Sequence, residues 1–211
     1  MAVSSARHTP LTVDEVLQAT SEVLSEGGAA GFRLKHLANQ LGVTAPSIYR
    51  FFPTKEELIR TAVVASHESL MAQYVSRINL LAAPQTSNEL FATLKTFVTE
   101  FSPELRQTNQ IIRVRSMSAA LHEPQLAARH ADSVQRLNDA IESYIRRSQE
   151  SGVVRSDIPA LTVAQVVHAL VGSGALTTAE PLTAEQLTNY WTAVEVALTG
   201  FLATTEGRQV Q

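Results

Sequence analysis

Residues 44–52 combine hydroxyl, aromatic and guanidinium side chains at helical spacing. If this stretch is a helix, Val43, Ile48 and Phe52 have the spacing to face a small core. The side chains left facing outward are then Ala45, Pro46, Ser47, Tyr49 and Arg50. A serine hydroxyl can bond a base edge, small apolar groups can contact thymine methyls, and arginine can reach guanine or phosphate. The stretch therefore carries the side chains needed to read a DNA major groove.

Several nearby groups are of the kind that bind phosphate. Thr44 and the free N–H groups of the helix start can hold a phosphate, as can the Tyr49 hydroxyl and Lys55. Residues 31–60 contain five Lys or Arg against two Glu, a charge of +3 within a chain of net charge −3. A charge cluster alone is more often a solvated face. The outward tyrosine and arginine favour nucleic-acid binding instead.

The local sequence predicts two short helices around this surface. An apolar stripe from Leu34 to Leu41 ends at Gly42, Thr44 offers an N-cap hydroxyl, and Pro46 falls in the first turn of the next helix, of about two turns. Two short helices joined by a glycine-containing turn form a helix-turn-helix unit, whose second helix enters the major groove. A helix ending at Gly27-Gly28 precedes them, and the capping-box pattern of residues 54–57 opens a long helix through about Arg77.

The rest of the chain predicts a larger helical domain. A helix of roughly seven turns carries Leu126, His130, Val134, Leu137, Ile141 and Tyr144 on one face. Residues 158–179 contain no Asp, Glu, Lys or Arg, but Pro159 and Gly172 interrupt this segment, so a helix buried in protein is favoured over a membrane span. We therefore predict an all-α fold with a helix-turn-helix domain at residues 1–55, its motif at about 33–52, and an effector-binding and dimerisation domain at residues 56–211.

The last two helices have broad apolar faces and small residues that allow close helix packing. Two such helices from each of two chains could form a four-helix interface, which predicts a homodimer. The residues assigned to this interface are Val167, Leu170, Val171, Gly174, Trp191, Val194, Leu198 and Phe201. The alternative is that both helices complete the core of a single chain.

A set of aromatic and polar residues is expected to line a cavity for a small effector. The candidates are Tyr74, Phe97, Phe101, Arg113, Met117 and His168. Arg113 could bind an anionic effector, although surface arginines are commoner, and core packing is the alternative for each aromatic residue.

Residues 32–58 resemble the DNA-binding segment of the TetR family of bacterial transcriptional regulators. The matching positions are Leu37-Ala38, Leu41-Gly42-Val43-Thr44, Ile48-Tyr49, Phe52, Lys55 and Leu58. The resemblance implies three N-terminal helices for DNA, a ligand-binding domain, a dimer built from the last two long helices, and a repressor released by a small effector.

By position, the resemblance also assigns the DNA contacts. These are Lys35, Thr44, Ala45, Pro46, Ser47, Tyr49, Arg50 and Lys55. The sequence departs from the family pattern at two places. Arg33 replaces the usual Thr or Ser helix cap and can bind phosphate instead, whereas Phe51 replaces a frequent His or Tyr.

Composition and motifs exclude several other classes. The chain has no cysteine, which excludes disulfides and thiolate sites, and the histidines show no metal-ligand spacing, so neither metal nor cofactor is expected. No nucleophile elbow, phosphate loop or secretory signal is present, so we expect a cytoplasmic protein that is not an enzyme and does not bind membranes. The first hypothesis is a ligand-responsive repressor that binds a palindromic DNA operator. The alternative is a helical enzyme or small-molecule carrier without DNA-dependent regulation.

Overall fold

The computed structural model describes residues 10–99, 103–173 and 183–202. Within these ranges the regular elements are all α-helices. They are α1 (Val13–Gly31), α2 (Leu34–Leu41), α3 (Ala45–Tyr49), α4 (Lys55–Asn79), α5 (Ser87–Thr99), α6 (Pro103–Ala120), α7 (Pro124–Glu150), α8 (Ala160–Ser173) and α9 (Ala184–Leu202). The predicted all-α fold is confirmed for the part of the chain described.

The chain divides into two compact units. The first unit contains the residues up to Leu70 together with Ile111–Ala131, and the second contains Met71–Gln110 together with the residues from Asp132 onward. Helices α4, α6 and α7 therefore each contribute residues to both units. The functional division at residue 55 that the sequence suggested stays a prediction.

Helix α1 begins with a capping box that the sequence analysis did not identify. The Glu15 backbone N–H donates to the Thr12 hydroxyl at 3.3 Å, and the Thr12 backbone N–H donates to the Glu15 carboxylate at 2.9 Å. These bonds satisfy N–H groups that would otherwise lack a partner at the helix start. Near its end, α1 is broken at Gly28, whose φ of 62° is left-handed. The sequence predicted a stop at this glycine pair, and the structure shows a kink there.

The helices α1 to α4 enclose one apolar core. The buried side chains come from every element of this segment and include Val16, Phe32, Leu37, Ile48, Phe52 and Leu58. Gly42 ends α2 with φ 65° and ψ 32°, and its N–H bonds back to the carbonyls of Ala38 and Asn39. A glycine adopts this left-handed conformation without a Cβ clash. The local sequence therefore determines the turn that orients α3.

Within the first unit, α4 also packs against residues of α6 and α7. Val64, Ala119 and Leu126 form a small buried cluster. Two ion pairs accompany it: Arg60 with Glu123 at 2.6 Å, and Glu68 with Arg129 through two hydrogen bonds of 2.5 and 2.9 Å. Neither pair was predicted from the sequence, and their partners are 63 and 61 positions apart in the chain.

The second unit has its own core. Its buried residues include Leu90, Leu137, Ile145, Val163 and Ala164. Tyr144 of α7 is buried here, and burial raises the pKa of its phenol. Across the described ranges, no helix combines the length and apolar character that crossing a membrane requires.

Four residues assigned to the dimer interface are buried within their own chain, and their assignment to the interface stays a prediction. Val167, Trp191, Val194 and Leu198 are buried without a second protomer. This burial supports the alternative that their faces complete the core of one chain. Leu170 and Phe201 are half-buried, whereas the Val171 side chain and Gly174 lie outside the described residues.

Candidate nucleic-acid interface

Helix α3 is shorter than predicted. Its regular part spans Ala45–Tyr49, and the chain continues as a turn in which the N–H groups of Phe51 and Phe52 bond to the Ile48 carbonyl. Thr44 is the N-cap residue, but its hydroxyl does not cap a backbone N–H. It lies 3.0 Å from the Ser47 hydroxyl, so the two hydroxyls form one polar pair at the start of the helix.

The outward face of α3 agrees with the prediction. Tyr49 is 44% exposed, and Pro46 and Arg50 are also exposed. Ala45 and Ser47 are half-buried. On the opposite side Ile48 and Phe52 are buried in the core, although Val43 is only half-buried. The packing of Ile48 and Phe52 therefore leaves the tyrosine and the arginine exposed on the opposite side of the helix.

Two cations predicted to bind phosphate converge on one backbone carbonyl. The Lys55 ammonium donates to the Phe32 carbonyl at 2.9 Å, and the Arg33 guanidinium donates to the same oxygen at 3.2 Å. The Lys55 ammonium also lies 5.4 Å from the centre of the buried Phe32 ring. Like charges held this close repel each other, so a bound anion would stabilise the pair. Arg33 occupies the N-cap of α2 without capping it, as its departure from the family pattern predicted.

The start of α4 is anchored by Thr54. Its hydroxyl accepts from the Glu57 backbone N–H at 3.1 Å, which makes Lys55 the first residue of the helix. Lys35 and His36 are exposed on α2. Arg60, which contributed to the basic window in the sequence, bonds instead to Glu123.

The residues predicted to bind an effector fall in both compact units. In the first, Arg113 is half-buried and Met117 is 52% exposed, so core packing does not explain this methionine. In the second, Tyr74 and His168 are half-buried. The Phe97 side chain and Phe101 lie outside the described residues. Effector binding by this set stays a prediction.

Two polar features of the second unit were missed at the sequence level. His168 Nδ1 lies 2.7 Å from the Asn138 side-chain oxygen, so α7 and α8 share a polar contact. Trp191 is 6% exposed, and its indole N–H is the one buried side-chain polar group of the described residues that lacks a hydrogen-bond partner. A buried donor without an acceptor costs about 1–3 kcal/mol. This cost makes the indole N–H a candidate contact for a ligand.

The metal-ligating side chains do not cluster. In the part of the chain that the structure describes, no three His, Asp or Glu side chains are placed to hold a metal ion.

The exposed Tyr49 and Arg50, the cationic pair of Arg33 and Lys55, and the turn between α2 and α3 define a helix-turn-helix protein. A model of bacterial regulatory proteins of the tetR family matches residues 16–62, and a model of the C-terminal part of BetI-type transcriptional repressors matches residues 92–189. The chain belongs to the TetR family.

Individual proteins and one solved structure are also similar to the chain. The chain is 40% identical over 67 residues to the nucleoid occlusion factor SlmA of Vibrio cholerae, a match covering 31% of this chain and 32% of the relative. A second SlmA, from a Marinomonas species, is 25% identical over 158 residues, covering 74% of this chain and 76% of the relative. The fold is similar to that of a TetR transcription regulator from Haloarcula marismortui, with a TM-score of 0.66, 16% identity and coverage of 90% and 97%.

Proposed function

We propose that the chain is a homodimeric, sequence-specific DNA-binding regulator that represses transcription and is released by a small effector. The observation that carries this proposal is the exposure of Tyr49 and Arg50, and the convergence of Arg33 and Lys55 on the Phe32 carbonyl supports it. An exposed aromatic and arginine pair on a short helix suits a groove, and the adjacent cations suit its phosphate edge.

The contacts divide into two kinds. Ser47, Arg50 and the small residues Ala45 and Pro46 read base edges, since they lie at the start of α3 or on its outward side. The phosphate contacts come from groups around this helix, namely Arg33, Lys35, Thr44, Tyr49 and Lys55. The first set determines sequence preference, and the second determines affinity and its salt dependence.

A homodimer places two copies of α3 on one duplex. A two-fold axis requires a palindromic operator, with half-sites about one helical turn of roughly 34 Å, or a multiple of it, apart. Because Trp191, Val194 and Leu198 are buried within one chain, we assign the dimer surface to the opposite side of α9. The residues of that side share an exposed stripe of i, i+3, i+4 and i+7 spacing: Ala193, Val196, Ala197 and Gly200.

The effector site is assigned to the second unit. There the Trp191 indole N–H needs an acceptor, and a ligand with a carbonyl or ether oxygen supplies one within an apolar core. Such a ligand reduces operator affinity if it binds more tightly to a dimer whose two α3 helices no longer match the operator. The free energy of coupling between ligand binding and DNA binding is then about 1–3 kcal/mol. Helix α4 begins with Lys55 and continues to Asn79, which makes it the covalent link for this coupling.

Selection of duplexes from a random DNA library by the purified protein tests the proposal. We expect enrichment of a palindrome and a specific complex at moderate salt. In the cell, the protein is proposed to act in the cytoplasm on the cell's own chromosome. Loss of binding in Lys55→Ala but not in Arg136→Ala, a cation of the second unit, would support the assigned face. If no sequence is enriched, the protein is a helical enzyme or carrier that keeps the fold without regulation.

A second candidate function is the one that gives the SlmA relatives their name, nucleoid occlusion. The 40% identity over 67 residues favours it, although this match covers about a third of the relative. A chromosome-wide map of binding sites separates the two candidates. Sites confined to a few promoters support transcriptional regulation, whereas many sites away from promoters support nucleoid occlusion.

A further inference from the structure

Two histidines from different helices stack on each other inside the first unit. The rings of His67 on α4 and His130 on α7 have centroids 4.4 Å apart and planes inclined by 30°. His67 is only 2% exposed, and His130 is half-buried. No role in DNA binding accounts for a buried, titratable pair at this place.

The stack is one of several contacts between α4 and the start of α7. Arg60 bonds to Glu123, and His67 stacks on His130, so both partners advance by seven residues, or two helical turns. Next to the stack, Glu68 and Arg129 form their two-bond ion pair. The stack is therefore one of the contacts that hold α4 against the start of α7.

The groups around the stack come from four helices. Helix α6 supplies the buried Ser116 hydroxyl, 2.9 Å from Nδ1 of His130. Helices α4 and α7 supply Glu68 and Arg129, and Asp14 of α1 acts on Arg129 over a longer distance. Arg115 of α6, next to Ser116, has its guanidinium directed at Gly28 of α1.

The stacked arrangement favours the neutral form of both imidazole rings. A proton on His67 would place a charge where water cannot solvate it, and protons on both rings would place two like charges face to face. Burial lowers the pKa of His130, which is the direction expected for a ring held in its neutral form. Protonation therefore favours any arrangement in which the two rings separate and become hydrated.

We propose that the His67–His130 stack is a proton-sensitive latch that regulates DNA binding. With neutral rings, it holds α4 against α7 and keeps Lys55, about three turns earlier on α4, in its DNA-binding position. In mildly acidic conditions the protonated rings separate, α4 shifts, and operator affinity falls. The proposal rests on the DNA-binding function proposed above.

The direction of the pH effect follows from linkage. The separated state binds protons more readily than the stacked state, so the stacked state is fully favoured above the ordinary histidine pKa of about 6.5. As the pH falls below this value, the stacked state loses stability by at most a factor of ten per pH unit for each linked proton. Between pH 7.5 and 5.5 operator affinity is expected to decrease, by at most about tenfold for each linked proton.

The test uses the full-length protein and the palindromic duplex obtained by selection at pH 7.5. Fluorescence anisotropy at constant ionic strength gives the affinity at each pH. The variant His67→Phe/His130→Gln keeps a flat ring and a hydrogen-bonding group but cannot titrate, so its affinity should stay constant below pH 6.5. The control His122→Gln removes an exposed histidine of the same unit and should keep the wild-type decrease. A decrease that persists in the double variant overturns the proposal.

A second measurement uses only the wild-type protein, so it needs neither DNA nor a variant that must fold. Proton NMR of the imidazole resonances should show the His130 ring titrating below the ordinary histidine pKa, together with shifts of α4 and α7 backbone resonances. Titration of His130 at or above the ordinary histidine pKa, or titration without backbone shifts, contradicts the latch. If selection enriches no duplex, the proposed DNA-binding function fails, and the NMR titration still decides whether the stack opens on protonation.

Discussion

The ammonium of Lys55 is held by Phe32, 23 residues earlier in the chain, through a 2.9 Å bond to the backbone carbonyl and a position 5.4 Å from the ring centre. Phe32 caps the end of α1, where the carbonyls carry partial negative charge. The lysine is thereby positioned before any DNA arrives, and an ammonium with three donors keeps the capacity to bind a phosphate. Fixing the side chain in advance reduces the entropy lost on binding.

Lys55→Ala should weaken DNA binding to all sequences alike. It removes one phosphate contact, so the slope of log affinity against log salt should decrease in magnitude by about one. Affinities for the selected duplex and for a scrambled duplex, each measured at several salt concentrations, check this expectation. Arg136→Ala removes a positive charge from the second unit and serves as the control. A loss confined to the selected duplex would show that Lys55 reads bases.

Arg50→Ala and Ser47→Ala should change which bases are preferred. Each replaces a side chain at the start or on the outward side of α3, and loss of a base contact costs about 1–3 kcal/mol at one operator position. Repeating the duplex selection with each variant shows which position loses its preference. Ser47→Ala also removes the partner of the Thr44 hydroxyl, which lies 3.0 Å from the Ser47 hydroxyl. Thr44→Val breaks the same pair and removes a proposed phosphate contact, so it should lower affinity without changing which bases are preferred. Unchanged preferences in both variants would remove these residues from the reading surface.

The parts of the interface that the sequence predicted depend on local signals. Gly42 ends α2 because its conformation suits glycine, and Thr54 caps α4 through a residue three positions later. The apolar spacing of Ile48 and Phe52 then determines which side of α3 faces outward. Each of these signals lies within a few residues of its effect.

The parts that the sequence did not predict depend on contacts between distant segments. The bond between Arg60 and Glu123 joins residues 63 positions apart. Helical periodicity placed Trp191, Val194 and Leu198 on one face of α9 but did not show whether the same chain or a second copy covers that face. Burial within the second unit favours coverage by the same chain, and periodicity carries no information about this packing.

Arg129→Ala should destabilise the protein by about 1 kcal/mol, because both partners of the Glu68–Arg129 pair retain some solvent exposure. Thermal and urea unfolding of Arg129→Ala, Glu68→Gln and the double variant give the coupling between the two side chains. The pair of Arg136 with Asp132, more exposed and within one helix, should contribute about 0.3–0.5 kcal/mol. Equal coupling in the two pairs would contradict a special contribution from the α4–α7 contact.

Trp191 provides a fluorescence signal for the effector, because it is the one tryptophan of the chain. A ligand oxygen that accepts the indole N–H should shift the emission in a saturable way. Screening a panel of small ketones, ethers and carboxylic acids by this signal identifies compounds to test for release of DNA. For a compound that is found, Trp191→Phe should weaken binding about threefold to tenfold, the value of one hydrogen bond, as measured by calorimetry. Unchanged affinity in this variant would place the ligand elsewhere.

Val196→Asp should abolish the dimer without unfolding the chain. Val196 is 69% exposed and lies at the centre of the α9 stripe, so a carboxylate there costs little in a single protomer but places two like charges within a symmetric interface. Light scattering after size exclusion should give the mass of one chain, with unchanged circular dichroism. Glu195→Ala changes an exposed residue about 100° around the same helix from Val196, so it is the control and should remain dimeric. The buried Val194→Asp should instead unfold the protein, since its carboxylate would enter the core. A folded monomer from Val194→Asp together with a dimer from Val196→Asp would contradict this assignment. The interface would then lie on the face of α9 that the sequence suggested, which contains Val194.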